Sequence, residues 1–195
     1  MADFVKLAHI SNKSTKPDRL YIAYGSNLHI KGMQSRCPDA KPIGPLMMGN
    51  ARLVFRGVAD VQVEPDSMCP AGLWEISERD EERLDIYEGV RNGLYQKHWV
   101  KLPSRRRKAL IYLMPDRGIF PPSAWYANVL RDGYRQFKLD ESFLDEAIRH
   151  SFDQKAPSEQ TRSRRLRQRM TTYQRQLVKL PLSIALEQQD QERAS

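Results

Sequence analysis

Two short stretches carry the residues with chemical potential: Tyr24-Gly25-Ser26-Asn27-Leu28, and Leu84-Asp85-Ile86-Tyr87-Glu88-Gly89-Val90. The first follows an apolar, aromatic run that reads as a buried strand over 19–24. Gly25 opens backbone conformations closed to other residues, and Ser26 and Asn27 favour turns in which side chains bond neighbouring amides. A strand ending in this way gathers several N–H groups around one small volume, a nest suited to a carboxylate or an oxyanion. The same residues also fit an ordinary strand-to-loop turn. In the second stretch, Leu84 and Glu88 lie four residues apart and share one face of a helix. If Leu84 faces the core, Glu88 is carried inward, where desolvation disfavours its charged form. A glutamate base working near neutral pH needs that shift. The competing reading is a glutamate turned to solvent at a fraying helix end.

Other chemistries find little footing. His9, His29, His98 and His150 are scattered, with no partner at metal-ligand spacing. Cys37 and Cys69 form neither a disulfide framework nor a metal pair, and read as reduced structural residues. Ser26 lacks the glycines of a nucleophile elbow, and no glycine-rich phosphate loop is present. The expectation is cofactor-free, metal-free chemistry, or binding alone.

The elements that must position these residues follow from pattern and punctuation. Strands are expected over 19–24, 51–57, 58–64 and 71–76, with Pro65-Asp66-Ser67 as a turn. Between 29 and 49, the prolines and glycines leave room for one short helix over 28–37 and then irregular chain. Ser77 with Asp80 three residues on caps a helix over 78–87, closed by Gly89 and Gly93. A hairpin with strands 94–102 and 109–114 carries the basic run Arg105-Arg106-Arg107-Lys108 at its tip. Tyr126, Val129, Leu130, Tyr134 and Phe137 place a helix over 123–137, and Phe143, Leu144, Ala147 and Ile148 another over 140–152. Strands, then a helix, a hairpin and helices define an α+β domain over 19–152, after a flexible lead over 1–18. Residues 153–195 form an extension in which Leu166, Met170, Tyr173, Leu177 and Leu180 make an apolar seam on a basic helix. That seam either packs back on the domain or supports self-association.

The 195 residues carry a net charge of +8, concentrated in the hairpin tip and in an arginine-rich run over 162–169. Such clusters are compatible with acidic partners, nucleic acid among them, but no nucleic-acid reader motif accompanies them. They read first as solvated faces. No apolar run reaches the roughly 18 residues of a membrane span, and the first residues lack a secretory layout, so a cytoplasmic protein is expected.

In combination the motifs resemble the γ-glutamylcyclotransferase (AIG2-like) family. The resemblance rests on Tyr24-Gly25-Ser26-Asn27-Leu28, Gly57-Val58-Ala59, Gly72-Leu73-Trp74, the stretch from Leu84 to Val90 with Gly93 and Tyr95, Tyr112-Leu113-Met114, and Pro121-Pro122-Ser123 with Tyr126. It covers about 19–150 and omits the extension. It implies a small mixed β-barrel-like sheet with flanking helices, Glu88 as the catalytic glutamate, and substrate contacts from Tyr24, Gly25, Ser26, Asn27, Leu28, Tyr95 and Tyr126. The implied reaction converts a γ-glutamyl amino acid or amine to 5-oxoproline and the free amine, without a cofactor. The related glutathione-specific group resembles this chain less, having Tyr-Gly-Ser-Leu in the loop. Asn27 therefore points away from glutathione. A binding or regulatory protein on the same scaffold is the alternative that a pocket without turnover would imply.

Overall fold

The computed structural model describes residues 14–102, 107–115 and 118–154, and the backbone of 183–185. Strands β1 (Arg19–Ala23), β2 (Lys41–Phe55), β3 (Ala59–Ile76), β4 (Gln96–Leu102), β5 (Arg107–Leu113) and β6 (Ser183–Ala185) form one mixed sheet in the order β4-β5-β1-β3-β2-β6. Helices α1 (Ile30–Arg36), α2 (Glu78–Tyr87), α3 (Ala124–Gln136) and α4 (Glu141–Asp153) accompany it. This is the expected α+β arrangement of a mixed sheet with flanking helices. Among the described residues the sheet is open, since β4 at one edge does not pair with β2 or β6 at the other.

β1 lies at the centre, antiparallel to β3 and parallel to β5. It is the shortest of the strands it pairs with, and every residue from Leu20 to Ala23 is buried. A strand covered on both faces reads as a continuous apolar run, as this one does. Its end therefore delivers the Gly25 loop into the protein rather than to its surface.

Two expectations change. Residues 41–49 are not irregular: they begin β2, with Ile43 as an extra residue between Pro42 and Gly44 in the pairing with β3. Prolines are tolerated in sheets at bulges and edges, which is how this proline-containing run becomes a strand. The strands expected over 58–64 and 71–76 are one strand, β3. Pro65-Asp66-Ser67 is not a reversing turn but part of a wide bulge, because Gly49 pairs with Met68 while Ala51 pairs with Val63. Asn50 and Asp66 take positive φ there, and the Asp66 amide donates to Asn50 Oδ1 at 3.2 Å. Turn-forming residues accommodate such a bulge as readily as a hairpin.

α2 starts with a reciprocal capping box. The Asp80 amide donates to Ser77 Oγ at 3.0 Å and the Ser77 amide to Asp80 Oδ2. Two carboxylates on its inner side then bind it to the sheet. Glu81 accepts from Arg19 of β1 (2.5 Å) and Lys97 of β4 (2.7 Å), and Asp85 accepts from Lys97 (2.6 Å) and the Tyr112 hydroxyl of β5 (2.6 Å). The helix is thus held at both ends of its inner face.

Residues 14–18 are joined to the domain through the Asp18 amide on the Ile76 carbonyl and the Arg79 amide on that of Ser14. β6 adds to the free edge of β2, Ser183 opposite Gly49 and Ala185 opposite Met47. The basic residues 105 and 106, the arginine-rich run and the apolar seam of the extension lie outside the described residues. No helix among the described residues is long and apolar enough to cross a membrane.

Candidate active site

The end of β1, the last turn of α2, the start of β3, the segment before β4, the end of β5 and the start of α3 converge on one cleft. It is lined by Tyr21, Tyr24, Gly25, Ser26 and Asn27, with Ala59, Glu88, Tyr95, Tyr112 and Tyr126 opposite and beside them. Glu88 is the one charged side chain in that lining.

Glu88 reaches the cleft for the reason its spacing implies. Its amide donates to the Leu84 carbonyl at 2.8 Å, so it completes the last turn of α2, and fully buried Leu84 points the shared face inward. Gly89 then takes φ +61°, a left-handed conformation that ends the helix and is cheap for glycine. Glu88 is 9% exposed. Burial raises its pKa to about 7, against the opposing pull of a hydrogen bond from Asn27 and the Arg36 charge.

Asn27 is the hub of the site. Its Nδ2 donates to Glu88 Oε1 and to the Tyr21 hydroxyl, both at 2.8 Å, while its Oδ1 accepts from Arg36 Nη1 at 2.5 Å. A guanidinium donates only, so the carbonyl end of the amide must face Arg36 and the amino end must face Glu88. Arg36, the last residue of α1, stacks over the Tyr87 ring at 4.0 Å from its centroid. The Tyr87 hydroxyl in turn lies 3.2 Å from Ser26 Oγ.

The loop itself is a 3-10 turn, Ser26–Leu28, in which the Leu28 amide bonds the Gly25 carbonyl and the His29 amide that of Ser26. The Ser26 and Asn27 amides, at its first turn, have no acceptor among the described residues. Space at Gly25 is tight: a Cβ there would sit 3.3 Å from both Ala59 Cβ and the Tyr126 hydroxyl, so both would have to shift by a few tenths of an ångström. Its backbone, at φ −114° and ψ −145°, lies outside the ordinary strand and helix regions without entering the left-handed one. Leu28 stands apart from the cleft. It is fully buried between β3 and α3, where Gly72 and Gly133 leave room for it.

The tyrosines form the walls, and most of their hydroxyls are committed. Tyr24 donates to the Tyr112 carbonyl, and Tyr95 to the Ala59 carbonyl at 2.8 Å. Tyr126 accepts the Ala59 amide at 3.1 Å. Burial pushes Tyr126 up to about 12 and raises Tyr21, Tyr24 and Tyr95 as well, so all remain neutral phenols near pH 7. Behind them is a buried ion pair, Arg56 Nε to Asp60 Oδ2 at 2.7 Å. Asp60 Oδ1 accepts the Met114 amide at 2.9 Å and lies 3.5 Å from the Tyr24 hydroxyl, which braces the floor.

The structure thus brings Tyr24, Gly25, Ser26, Asn27, Glu88, Tyr95 and Tyr126 together and leaves Leu28 in the core. Tyr21, Ala59, Tyr112 and Arg36 belong to the site or its support and were not singled out for it. Tyr21 carried a usable signal, because a phenol in a wholly buried strand must find a polar partner. Arg36 carried none, since an arginine at the end of a short helix reads as solvated.

Known proteins resemble this chain in sequence and in fold. Residues 71–146 match the AIG2-like family. Mouse γ-glutamylcyclotransferase is 26% identical over 141 residues, covering 65% of this chain and 75% of that protein. The human γ-glutamylcyclotransferase is 27% identical over 140 residues, covering 63% and 74%. Among solved structures, a γ-glutamyl cyclotransferase superposes with a TM-score of 0.60 at 20% identity, covering 79% of this chain and 98% of that one. An uncharacterized human protein gives 0.59 at 21% identity, covering 80% and 99%. These superpositions carry the fold, and over 71–146 and the stretch shared with the curated relatives the chain is similar to AIG2-like proteins and γ-glutamylcyclotransferases.

Proposed function

We propose that the protein cyclises γ-glutamyl amino acids or amines to 5-oxoproline, with Glu88 as the proton carrier. The observation that carries this reading is Glu88 itself: a buried carboxylate with a pKa of about 7, aimed into a cleft whose lining has no other charged side chain. A ligand with an ammonium group is the natural complement of such a carboxylate. A group titrating near 7 also takes and returns a proton with little penalty at neutral pH.

The substrate carries its own nucleophile. Once its α-ammonium has lost one proton to bulk water, the free amine attacks the γ-carbonyl carbon within the same molecule, forming a five-membered ring. The cleft has only to hold the bent conformation, which converts the encounter into a unimolecular step. As the new C–N bond forms, the attacking nitrogen gives a proton to the Glu88 carboxylate. Glu88 then returns it to the departing nitrogen as the original amide C–N bond breaks. One proton moves from the entering to the leaving nitrogen, and Glu88 ends as it began. The unoccupied amides of Ser26 and Asn27 are available to an anionic oxygen of the substrate.

The test is a panel of γ-glutamyl amino acids and γ-glutamyl amines, with 5-oxoproline measured by mass spectrometry. Wild type should release it from at least one member, and Glu88→Gln should lose at least about a hundredfold, the range for a proton-transfer group. Equal activity in Glu88→Gln removes Glu88 from the mechanism. A compound that raises thermal stability but yields no product would identify a binding protein instead.

A further inference from the structure

We infer that the Tyr21 hydroxyl donates a hydrogen bond to the γ-carbonyl oxygen of the substrate as that oxygen becomes an oxyanion. This assignment rests on the cyclisation proposed above.

The argument is an account of hydroxyl protons. Tyr24, Tyr95 and Tyr112 direct theirs to the Tyr112 carbonyl, the Ala59 carbonyl and Asp85. Tyr126 accepts the Ala59 amide, and its proton, like that of Tyr21, has no acceptor among the described residues, but it does not share a donor with Glu88 as Tyr21 does. Tyr21 lines the cleft, yet its hydroxyl only accepts, from Asn27 Nδ2 at 2.8 Å, and its own proton has no acceptor among the described residues. Its direction is not accidental. Arg36 holds the carbonyl end of Asn27 outward, which obliges the amino end to feed both Tyr21 and Glu88. A phenol that accepts one hydrogen bond becomes a better donor of another.

The spacing suits the reaction. Tyr21 and Glu88 each sit 2.8 Å from the same nitrogen. With the trigonal fork of an amide, their oxygens stand about 5 Å apart. In the tetrahedral adduct the attacking nitrogen and the oxyanion are bonded to one carbon. The nitrogen can face Glu88 while the oxyanion faces Tyr21, each at hydrogen-bond distance. The Tyr21 ring is fixed for this by edge-on packing against Tyr112, with centroids 5.9 Å apart and planes at 66°. Burial and the neighbouring carboxylate keep the phenol protonated, so it acts as a neutral donor. The Ser26 and Asn27 amides are then left for the α-carboxylate.

Two measurements test the assignment, one without turnover. In steady-state assays of the best panel substrate, Tyr21→Phe should lower kcat by about a hundredfold with KM changed less than about threefold, as for loss of an oxyanion donor. A kcat within twofold of wild type, or an effect confined to KM, overturns the assignment, the latter marking Tyr21 as a ground-state contact. In calorimetric titration with 5-oxoproline, whose lactam oxygen is the former γ-carbonyl oxygen, Tyr21→Phe should bind about three- to tenfold more weakly than wild type. Equal affinity, or no binding to either protein, also counts against Tyr21. If wild type makes no 5-oxoproline from any substrate, the cyclisation reading fails in the panel assay, and the titration still decides whether Tyr21 holds this oxygen. Thermal melts of Tyr21→Phe within a few degrees of wild type separate loss of the donor from loss of the fold.

Discussion

Replacing Glu88 by glutamine should make the protein more stable at pH 8 and not at pH 4.5. An ordinary glutamate side chain titrates at 4.5, and burial raises Glu88 to about 7. Below pH 4.5 the group is protonated in both folded and unfolded chains and adds no pH dependence. Between 4.5 and about 7 the folded protein keeps a proton that the unfolded chain has lost, so stability falls as pH rises. Above about 7 the loss is complete. At about 1.4 kcal/mol per pH unit, the interval corresponds to about 3 kcal/mol, a large share of the stability of a domain this size. Glutamine keeps a carbonyl that can accept from Asn27 Nδ2 and has no charge to desolvate. Urea unfolding of both proteins at half-unit steps from pH 4.5 to 8 measures the difference directly. It should start near zero and grow to about 3 kcal/mol in favour of the variant, while its cyclising activity disappears. Stability and activity moving in opposite directions are expected where a functional group is held in an unfavourable environment. A difference that does not change with pH, or a variant less stable at pH 8, would show that Glu88 is not held by desolvation in the way its burial implies.

Three further outcomes follow from neighbouring contacts. The kcat/KM of wild type should rise with pH through about 7 as Glu88 ionises, and Arg36→Met, which removes the cation opposing that shift, should move this limb upward in the pH–rate profile. Gly133→Ala places a Cβ 2.6 Å from Leu28 Cβ and 3.0 Å from backbone atoms of Leu28 and His29, so α3 or the site loop must move. About 2 kcal/mol of destabilisation in urea, with a raised KM, is expected. Ser77→Ala removes the cap of α2 and should cost about 1 kcal/mol while leaving kcat unchanged, because the cap lies at the opposite end of the helix from Glu88.

Much of the fold was legible because it depends on local devices. The Ser77–Asp80 box, the periodic faces of α3 and α4 and the unbroken apolar run of β1 all act over a few residues. Proline and glycine misled where tertiary pairing overrode them, in the first part of β2 and across the bulge opposite Asn50. There the long β2–β3 ladder absorbs residues that in isolation would form turns. The open sheet likewise could not be read from strand patterns, since closure depends on which edges meet.

The site divides along the same line. By itself the sequence determined that Glu88 shares a helical face with Leu84, that Gly89 ends that helix, and that the Gly25 loop issues from a buried strand. Each of these depends on residues within one or two turns of one another. Only the tertiary structure decided that Asn27 bonds a glutamate 61 positions away, that Arg36 turns the Asn27 amide, and that the proton of Tyr21 is left without an acceptor. It also decided that Gly25 lies closely packed against Ala59 and Tyr126. The physical reason is that hydrogen-bond satisfaction is settled only when every neighbour is in place, and these neighbours come from six separate segments of the chain.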